Sequence, residues 1–550
     1  MNSKVRRAAR PSVSASWLAA GLVSLLPRVT IAQPILDEEN PGVVSPPAST
    51  PPTPTGLRIV DDENPSTPTP SAPSRASSAG IATFRGQVSS TALVDLANDG
   101  AGEDTLEFFQ LATFRSRIPF HDRFAATLEG RLTWWTHAGP ETADRSVFAV
   151  DGDAWRGRFE AELRSAFVSA RFNSLFLRIG QMSVSWGSSD LSSPGDIVHP
   201  QDLRNPLLLL GTDAKIPLPM IDATWSHDRL EVQGLLIPFF VPSRFAVTGS
   251  DFALLRPGTP AGAVLAPGLI NDLIDPSLTD VAQPLLQQTQ LPGPLPSGAS
   301  AGARVTSHYG GMDVSLGYLY DWDRTPRVQT SEGLRALLAV VGEAGIDGLE
   351  PNAELLIALS EVQAERDAGI DLLRATHHRR HTVVLDGVRY LGPIGVRFDL
   401  TWSPERTWST VDLAPLRRPT FVGALGLGYE SSTGHHVVAT EVFHQRVFLR
   451  ESDAPLAFAA EDLTAVLGAW RVRLEEWTSG PWSRLGWETG VAWFPALDDL
   501  AVTAQATWHW TENLQLSAGC AVLDSRGRRG TLVDAFSTND LAWLRLASSF

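Results

Sequence analysis

From Thr83 onward, apolar and polar residues alternate one for one over unusually long runs. In Arg123–His137 (RFAATLEGRLTWWTH), Phe124, Ala126, Leu128, Leu132 and Trp134 share one face, and Arg123, Thr127, Glu129, Arg131 and Thr133 share the other. Phe159, Ala161, Leu163 and Phe167 alternate with Arg158, Glu160, Glu162 and Arg164. Val396, Phe398, Leu400 and Trp402 alternate with Arg397, Asp399 and Thr401. A strict period of two is strand periodicity. Runs well past the usual 5–6 residues are longer than soluble strands need, whereas about 9–11 residues suit a tilted strand crossing a bilayer. Such strands, apolar outward and charged inward, can only close on themselves, because an open edge leaves backbone groups unpaired in lipid. The expected fold is all-β: one transmembrane antiparallel β-barrel. A soluble sandwich would not keep rows of Arg and Glu opposite tryptophans for so long.

The residues before the barrel are of another kind. Lys4, Arg6, Arg7 and Arg10 precede a short apolar run (WLAAGLVSLL) and the small residues before Gln33. Residues 1–32 therefore read as a cleaved signal peptide. Residues 33–80 contain no aromatic residue and are rich in proline, so they form an extended tether. Within them Ile35-Leu-Asp-Glu-Glu-Asn-Pro41 recurs as Ile59-Val-Asp-Asp-Glu-Asn-Pro65, a pair suited either to docking a periplasmic partner twice or to spacing alone. Residues 81–550 are the barrel.

Eight short connections, near 118–122, 172–174, 226–229, 307–311, 391–393, 431–435, 478–483 and 511–513, alternate with nine longer ones. That gives eighteen strands, or sixteen if weak segments such as 301–306 are loop. Short turns are periplasmic in such barrels, so both termini are expected in the periplasm of a Gram-negative cell. Ala542, Leu544, Leu546, Ser548 and Phe550 share a face, and the terminal Phe550 resembles the signal read by the barrel-assembly machinery. Two connections are too long for simple caps. Residues 242–300 are rich in Pro, Leu and Gly. Residues 331–374 carry a helical spacing of Leu334, Leu337, Leu338 and Val341, then Leu355, Leu356, Leu359 and Val362, and their apolar faces need each other or the lumen wall.

The segment after the fifth strand carries the most specific wording. Arg178-x-Gly180-Gln181 leads to Trp186-Gly-Ser-Ser-Asp190, then to His199-Pro-Gln-Asp202-Leu-Arg204. Prolines and glycines fix turns, and Asp side chains satisfy loop backbone. Over about 175–245 this resembles a family of proteobacterial outer-membrane barrels catalogued as a domain of unknown function; alginate-export and porin-like barrels carry looser versions. The resemblance implies an outer-membrane barrel linked to transport, and brings no substrate or catalytic residue. By analogy with general porins, the loop folds inward and puts Asp190, Asp196, Asp202 and Arg204 at the narrowest point; otherwise its aspartates cap turns at the rim.

Several functions are excluded or left without support. A formal charge of −16 argues against nucleic acid. The single cysteine, Cys520, excludes a disulfide framework. His377, His378 and His381 flank Arg379 and Arg380, which repel a cation, so no metal is expected, and nothing calls for a cofactor. No nucleophile motif appears, so no enzyme is expected. The 17 tryptophans suit aromatic girdles against outer-membrane lipid, with Trp134, Trp402, Trp487, Trp493, Trp508, Trp510 and Trp543 as candidates. The expected function is a porin-like channel passing small solutes or an exported product, its lumen lined by Glu129, Arg131, Glu160, Arg164, Arg397 and Asp399. The alternatives are a plugged barrel serving lipid or hydrophobe export, and, third, a barrel hydrolase.

Overall fold

A computed structural model describes residues 82–96, 106–138, 159–203, 214–245, 289–293, 295–325, 327–344, 353–371, 373–410, 414–454, 456, 460–525 and 540–550. The signal-peptide and tether readings, Arg204 and most of 242–300 lie outside the described residues. Eighteen strands form one sheet. They are β1 Thr83–Asp95, β2 Leu106–His121, β3 Phe124–Ala138, β4 Phe159–Phe172, β5 Leu175–Met182, β6 Leu218–His227, β7 Leu230–Ile237, β8 Ser300–Tyr309 and β9 Met312–Trp322. They continue as β10 Arg379–Leu391, β11 Ile394–Ser409, β12 Pro415–Glu430, β13 His436–Val447, β14 Asp462–Arg473, β15 Leu485–Phe494, β16 Asp499–Thr511, β17 Leu514–Ser525 and β18 Leu541–Ser549. Each is antiparallel to the next, and β18 returns to β1 with Gln87 opposite Ser549, which closes the barrel. The eighteen-strand count holds.

The eight short connections hold as well, and define a turn end of the barrel opposite a loop end. Their chemistry explains them. Gly310 and Gly311 both take positive φ (62° and 74°) between β8 and β9, as a two-residue turn that follows strand twist requires. Asn173 and Asp228 supply positive φ in two others. Phe550 seals the seam: its N–H donates to the Gly86 carbonyl and its carbonyl accepts from the Gly86 N–H, both at 2.9 Å. Its ring lies over Gly86, where a Cβ would collide with it.

Outward faces are apolar and exposed, among them Leu128, Leu163, Ile179, Leu316, Leu425, Val442 and Leu544, forming the belt that lipid solvates. Trp134, Trp402, Trp487, Trp493 and Trp510 are exposed on it, and Trp508 shares the outward parity of Trp510 in β16. Trp543 does not. Register sets it opposite Gly519 and Leu93, on the luminal face, where its indole N–H donates to Gln505 Oε1 at 3.1 Å. Parity fixes this: with Ala542 and Leu544 outward, residue 543 must point in.

At the loop end, helices α1 Glu332–Ala344 and α2 Ala353–Asp367 pack on each other, with the Gly333 N–H donating to Glu365 Oε1 at 2.9 Å. Leu334, Leu337, Leu355, Ala358 and Val362 are buried, but Leu356 is exposed, so α2 presents a narrower apolar face than its spacing suggested. Strands Thr289–Gln290, Arg327–Thr330 and Leu373–Thr376 form a small sheet beside the helices.

Candidate functional site

After Met182 the chain leaves the wall. Ten apolar side chains, including Met182, Val184, Trp186, Val198, Leu218, Ile237 and Leu319, form a buried cluster. It lies on the inward faces of β4 to β9, so an apolar core sits inside the barrel. Trp186 is its pivot. Its ring lies over Gly302 and Gly317, and its indole N–H donates to Gln233 Oε1 at 2.9 Å. A side chain at either glycine would displace the indole. His199 pins the far end. Nε2 accepts from the Val184 N–H at 2.9 Å, so Nδ1 carries the proton that goes to the Ile216 carbonyl, 3.1 Å away.

Between those anchors, residues 187–197 cross the lumen. Gly187 has φ 95°, and a Cβ there would stand 2.5 Å from an Asp399 oxygen, so this turn needs glycine twice over. The loop has little core of its own. Its backbone donors are instead taken by carboxylates of the far wall. Asp399 on β11 accepts from the N–H groups of Ser188 (2.6 Å), Ser189 (3.2 Å) and Gly195 (3.3 Å). Glu441 on β13 accepts from the N–H groups of Leu191 (3.3 Å) and Ser192 (3.0 Å) and from the Ser192 hydroxyl. Asp386 on β10 accepts from the Ser188 hydroxyl at 2.7 Å and pairs with Arg304 at 2.6 Å. Thr401 donates to the Pro194 carbonyl at 2.9 Å. Counting round the ring, β13 stands eight strands from β5, so the loop spans the lumen from wall to wall.

The structure distributes the sequence-derived residues as follows. Asp190 faces Arg397 at 2.6 Å. Burial pushes its carboxyl up to about 6 against the pull of Arg397, with Glu441 and Glu430 adding to the rise. Asp196 pairs with Lys215 at 2.9 Å. Asp202 meets Arg244 at 3.5 Å, and Arg244 also reaches Glu160 (3.2 Å) and Glu162 (2.7 Å). Arg131 pairs with Glu162, Arg164 donates to the Lys215 carbonyl at 2.6 Å, and Glu129 accepts from the Ser165 hydroxyl at 3.4 Å. Arg397 and Asp399 thus face inward but are buried under the loop; their work is to hold it. Sequence reasoning missed Asp386, Glu441, Gln233 and Thr401, whose signal was only inward parity.

A second polar knot holds the loop from the loop end. Arg380 grips Asp321 with two hydrogen bonds (2.9 and 3.1 Å) and donates to the Ile197 carbonyl at 3.4 Å. Asp323 takes Arg327 at 3.0 Å and Arg406 at 3.5 Å. Burial raises the Asp323 carboxyl, but the guanidiniums of Arg327, Arg406 and Arg380 outweigh it and hold it below the usual carboxylate range. His377 donates to the Asp323 carbonyl at 2.8 Å, and burial lowers its imidazole to about 4. His377 and His378 precede β10 and do not share a strand face with His381. Among the described residues, no group of three or more His, Cys, Asp or Glu could hold a metal.

No curated protein sequence matches the chain. Among solved structures it is similar to Acinetobacter baumannii OccAB3, at 10% identity over 85% of this chain and 99% of that one, with a TM-score of 0.44. It is also similar to Pseudomonas aeruginosa OccK9 (OpdG), at 11% identity, 85% and 97% coverage and a TM-score of 0.43. A third is Salmonella typhi OmpF in complex with daunomycin, at 8% identity, 85% and 97% coverage and a TM-score of 0.38. The family resemblance read from 175–245 is met by a family-level match: residues 122–354, from the turn before β3 through the lumen-crossing loop and α1, match the family described as "Protein of unknown function (DUF1302)".

Proposed function

We propose that the chain is a porin-like channel of the Gram-negative outer membrane, carrying small solutes through a lumen narrowed by residues 187–197. One observation carries the reading. A loop from β5 is tied to β10, β11 and β13 by carboxylates that satisfy its backbone. A barrel that only anchored something in the membrane would have no use for an internal crossbar held so tightly, whereas a channel needs a fixed constriction. Thr83 and Phe550 lie at the turn end, which is the periplasmic end on this reading, with residues 1–32 a removed signal peptide and residues 33–80 a tether that meets a periplasmic partner. A hydrophobe-export barrel would offer apolar side chains to luminal space; the ten described here are closed against one another.

Purified full-length chain in planar bilayers tests the proposal. Steady single-channel current is expected, and shortening 187–197 should raise conductance. Absence of current from both proteins would refute the channel.

A further inference from the structure

The crossbar divides the lumen unequally. On one side, β4 to β12 hold the apolar cluster and the knot around Asp321 and Asp323. On the other stands the wall of β14 to β18 and β1 to β3. Register carries the luminal face round that wall. Glu441 is opposite Leu467, and the pairing then runs on to Arg545, which stands opposite Thr91 of β1. Arg85 has the parity of Thr91, and it faces Arg115 of β2, with Arg117 next on the same face. The outward neighbours Phe84 and Val88 are exposed and apolar, as lipid requires.

Four luminal arginines on the crossbar side are paired: Arg178 with Asp222, Arg304 with Asp386, Arg380 with Asp321, Arg397 with Asp190. Arg324, among the described residues, reaches only the Val241 carbonyl there. On the facing wall Arg131 pairs with Glu162, Arg471 stands opposite Glu488, and Arg115 has Glu129 across the ladder. Among the described residues, Arg85, Arg117 and Arg545 have no carboxylate partner, and Arg545 Nε has no acceptor at all. Setting Arg85 directly opposite Arg115 is a like-charge cross-strand pair, which costs stability. Unpaired cations next to low-dielectric wall focus an attractive field for anions.

We propose that this wall is the conducting path and that Arg85, Arg117 and Arg545 make it select small anions. The proposal rests on the channel reading and deepens it by naming the solute class. The test is the reversal potential of the full chain in a planar bilayer under a KCl gradient. Chloride should be preferred over potassium by about threefold or more. The combined variant Arg85→Ser, Arg117→Ser, Arg545→Ser should bring the ratio to about one, and the exposed single variant Arg117→Ser should lower it part of the way. Arg229→Ser, at a turn beside Tyr309, removes the same charge off this wall and should leave the ratio unchanged. A conducting wild type that prefers potassium or neither ion overturns the anion assignment while leaving the channel. So does a chloride preference that survives the arginine variants. No current from the wild type or the loop-shortened protein overturns both.

Discussion

Asp399→Ala is the sharpest test of the crossbar. In the folded chain this carboxylate takes three backbone N–H groups of the loop. Hydrogen bonds to a charged group contribute about 1.5–3 kcal/mol each, so the gross loss is roughly 4–9 kcal/mol. Against this, the variant no longer buries an ionised group, a penalty of several kcal/mol. A net weakening of loop anchoring by about 3 kcal/mol follows, roughly a 150-fold shift toward the detached loop. The barrel should survive, because the β11 backbone ladder with β10 and β12 is untouched. The assay has two arms. Single-channel recording should show larger and noisier current. A cysteine placed at the buried Ser192 should react with a water-soluble thiol reagent far faster in the Asp399→Ala background. Thr401→Val, which removes one neutral bond to Pro194, should do the same to a much smaller extent, about 1 kcal/mol. If conductance and thiol reactivity both stay at wild-type values in a folded Asp399→Ala barrel, the carboxylate does not hold the loop and the reasoning fails.

Four further outcomes are expected. Gly187→Val combines an unfavourable positive φ, costing about 1–2 kcal/mol, with a clash against Asp399, so it should copy the Asp399→Ala current in bilayers. Lowering pH from 8 to 5 protonates Asp190, whose carboxyl sits raised near 6. Arg397 then loses its counter-charge, and current fluctuations should rise through that window, while Asp190→Asn should show them already at pH 8. Trp543, facing inward, should resist quenching by brominated lipid whereas Trp493, exposed outward, should be quenched; equal quenching of the two in single-tryptophan variants would put the register in error. Removing Phe550 deletes both seam bonds to Gly86 and should reduce the assembled, heat-modifiable barrel recovered from cell envelopes, with no loss refuting a role in closure.

The architecture was legible because its signals are local. Alternation in β3 and β11 reports strand and face at once, and Gly310-Gly311 or Asn173 reports a turn within a few residues. The helices announced themselves in the same way. In β4 a bulge after Leu163 breaks the alternation, so Phe167, expected on the face of Leu163, turns inward into the buried cluster. The site was legible only by half. The prolines and glycines of 186–200 indicate a shaped loop, but its partners lie on β10, β11 and β13, some 200 residues on in the chain. Nothing near Asp399 distinguishes a carboxylate that meets solutes from one sealed under a loop. Trp543 was misassigned for the opposite reason: the local alternation that places Leu544 and Leu546 outward already forces it inward, and nearness to a strand end is a weaker indicator than parity.

The charge of the chain also acquires a different meaning. A formal −16 would suggest an acidic channel if the acids lined the path. The repeated elements of residues 33–80 hold six of the acids, Asp37, Glu38, Glu39, Asp61, Asp62 and Glu63. Inside the barrel Asp386, Asp399 and Glu441 are buried against loop donors, and Asp222, Asp321 and Asp190 are each opposite an arginine. A loop without a core needs acceptors for its backbone, and carboxylates supply several at once. These six luminal acids are therefore taken up by loop donors or by arginines. On the wall the loop does not cover, Glu488 stands opposite Arg471 and Asp499 is fully buried. The cations left over there are Arg85, Arg117 and Arg545, so on the anion proposal the field a permeating ion meets is opposite in sign to the charge of the whole chain.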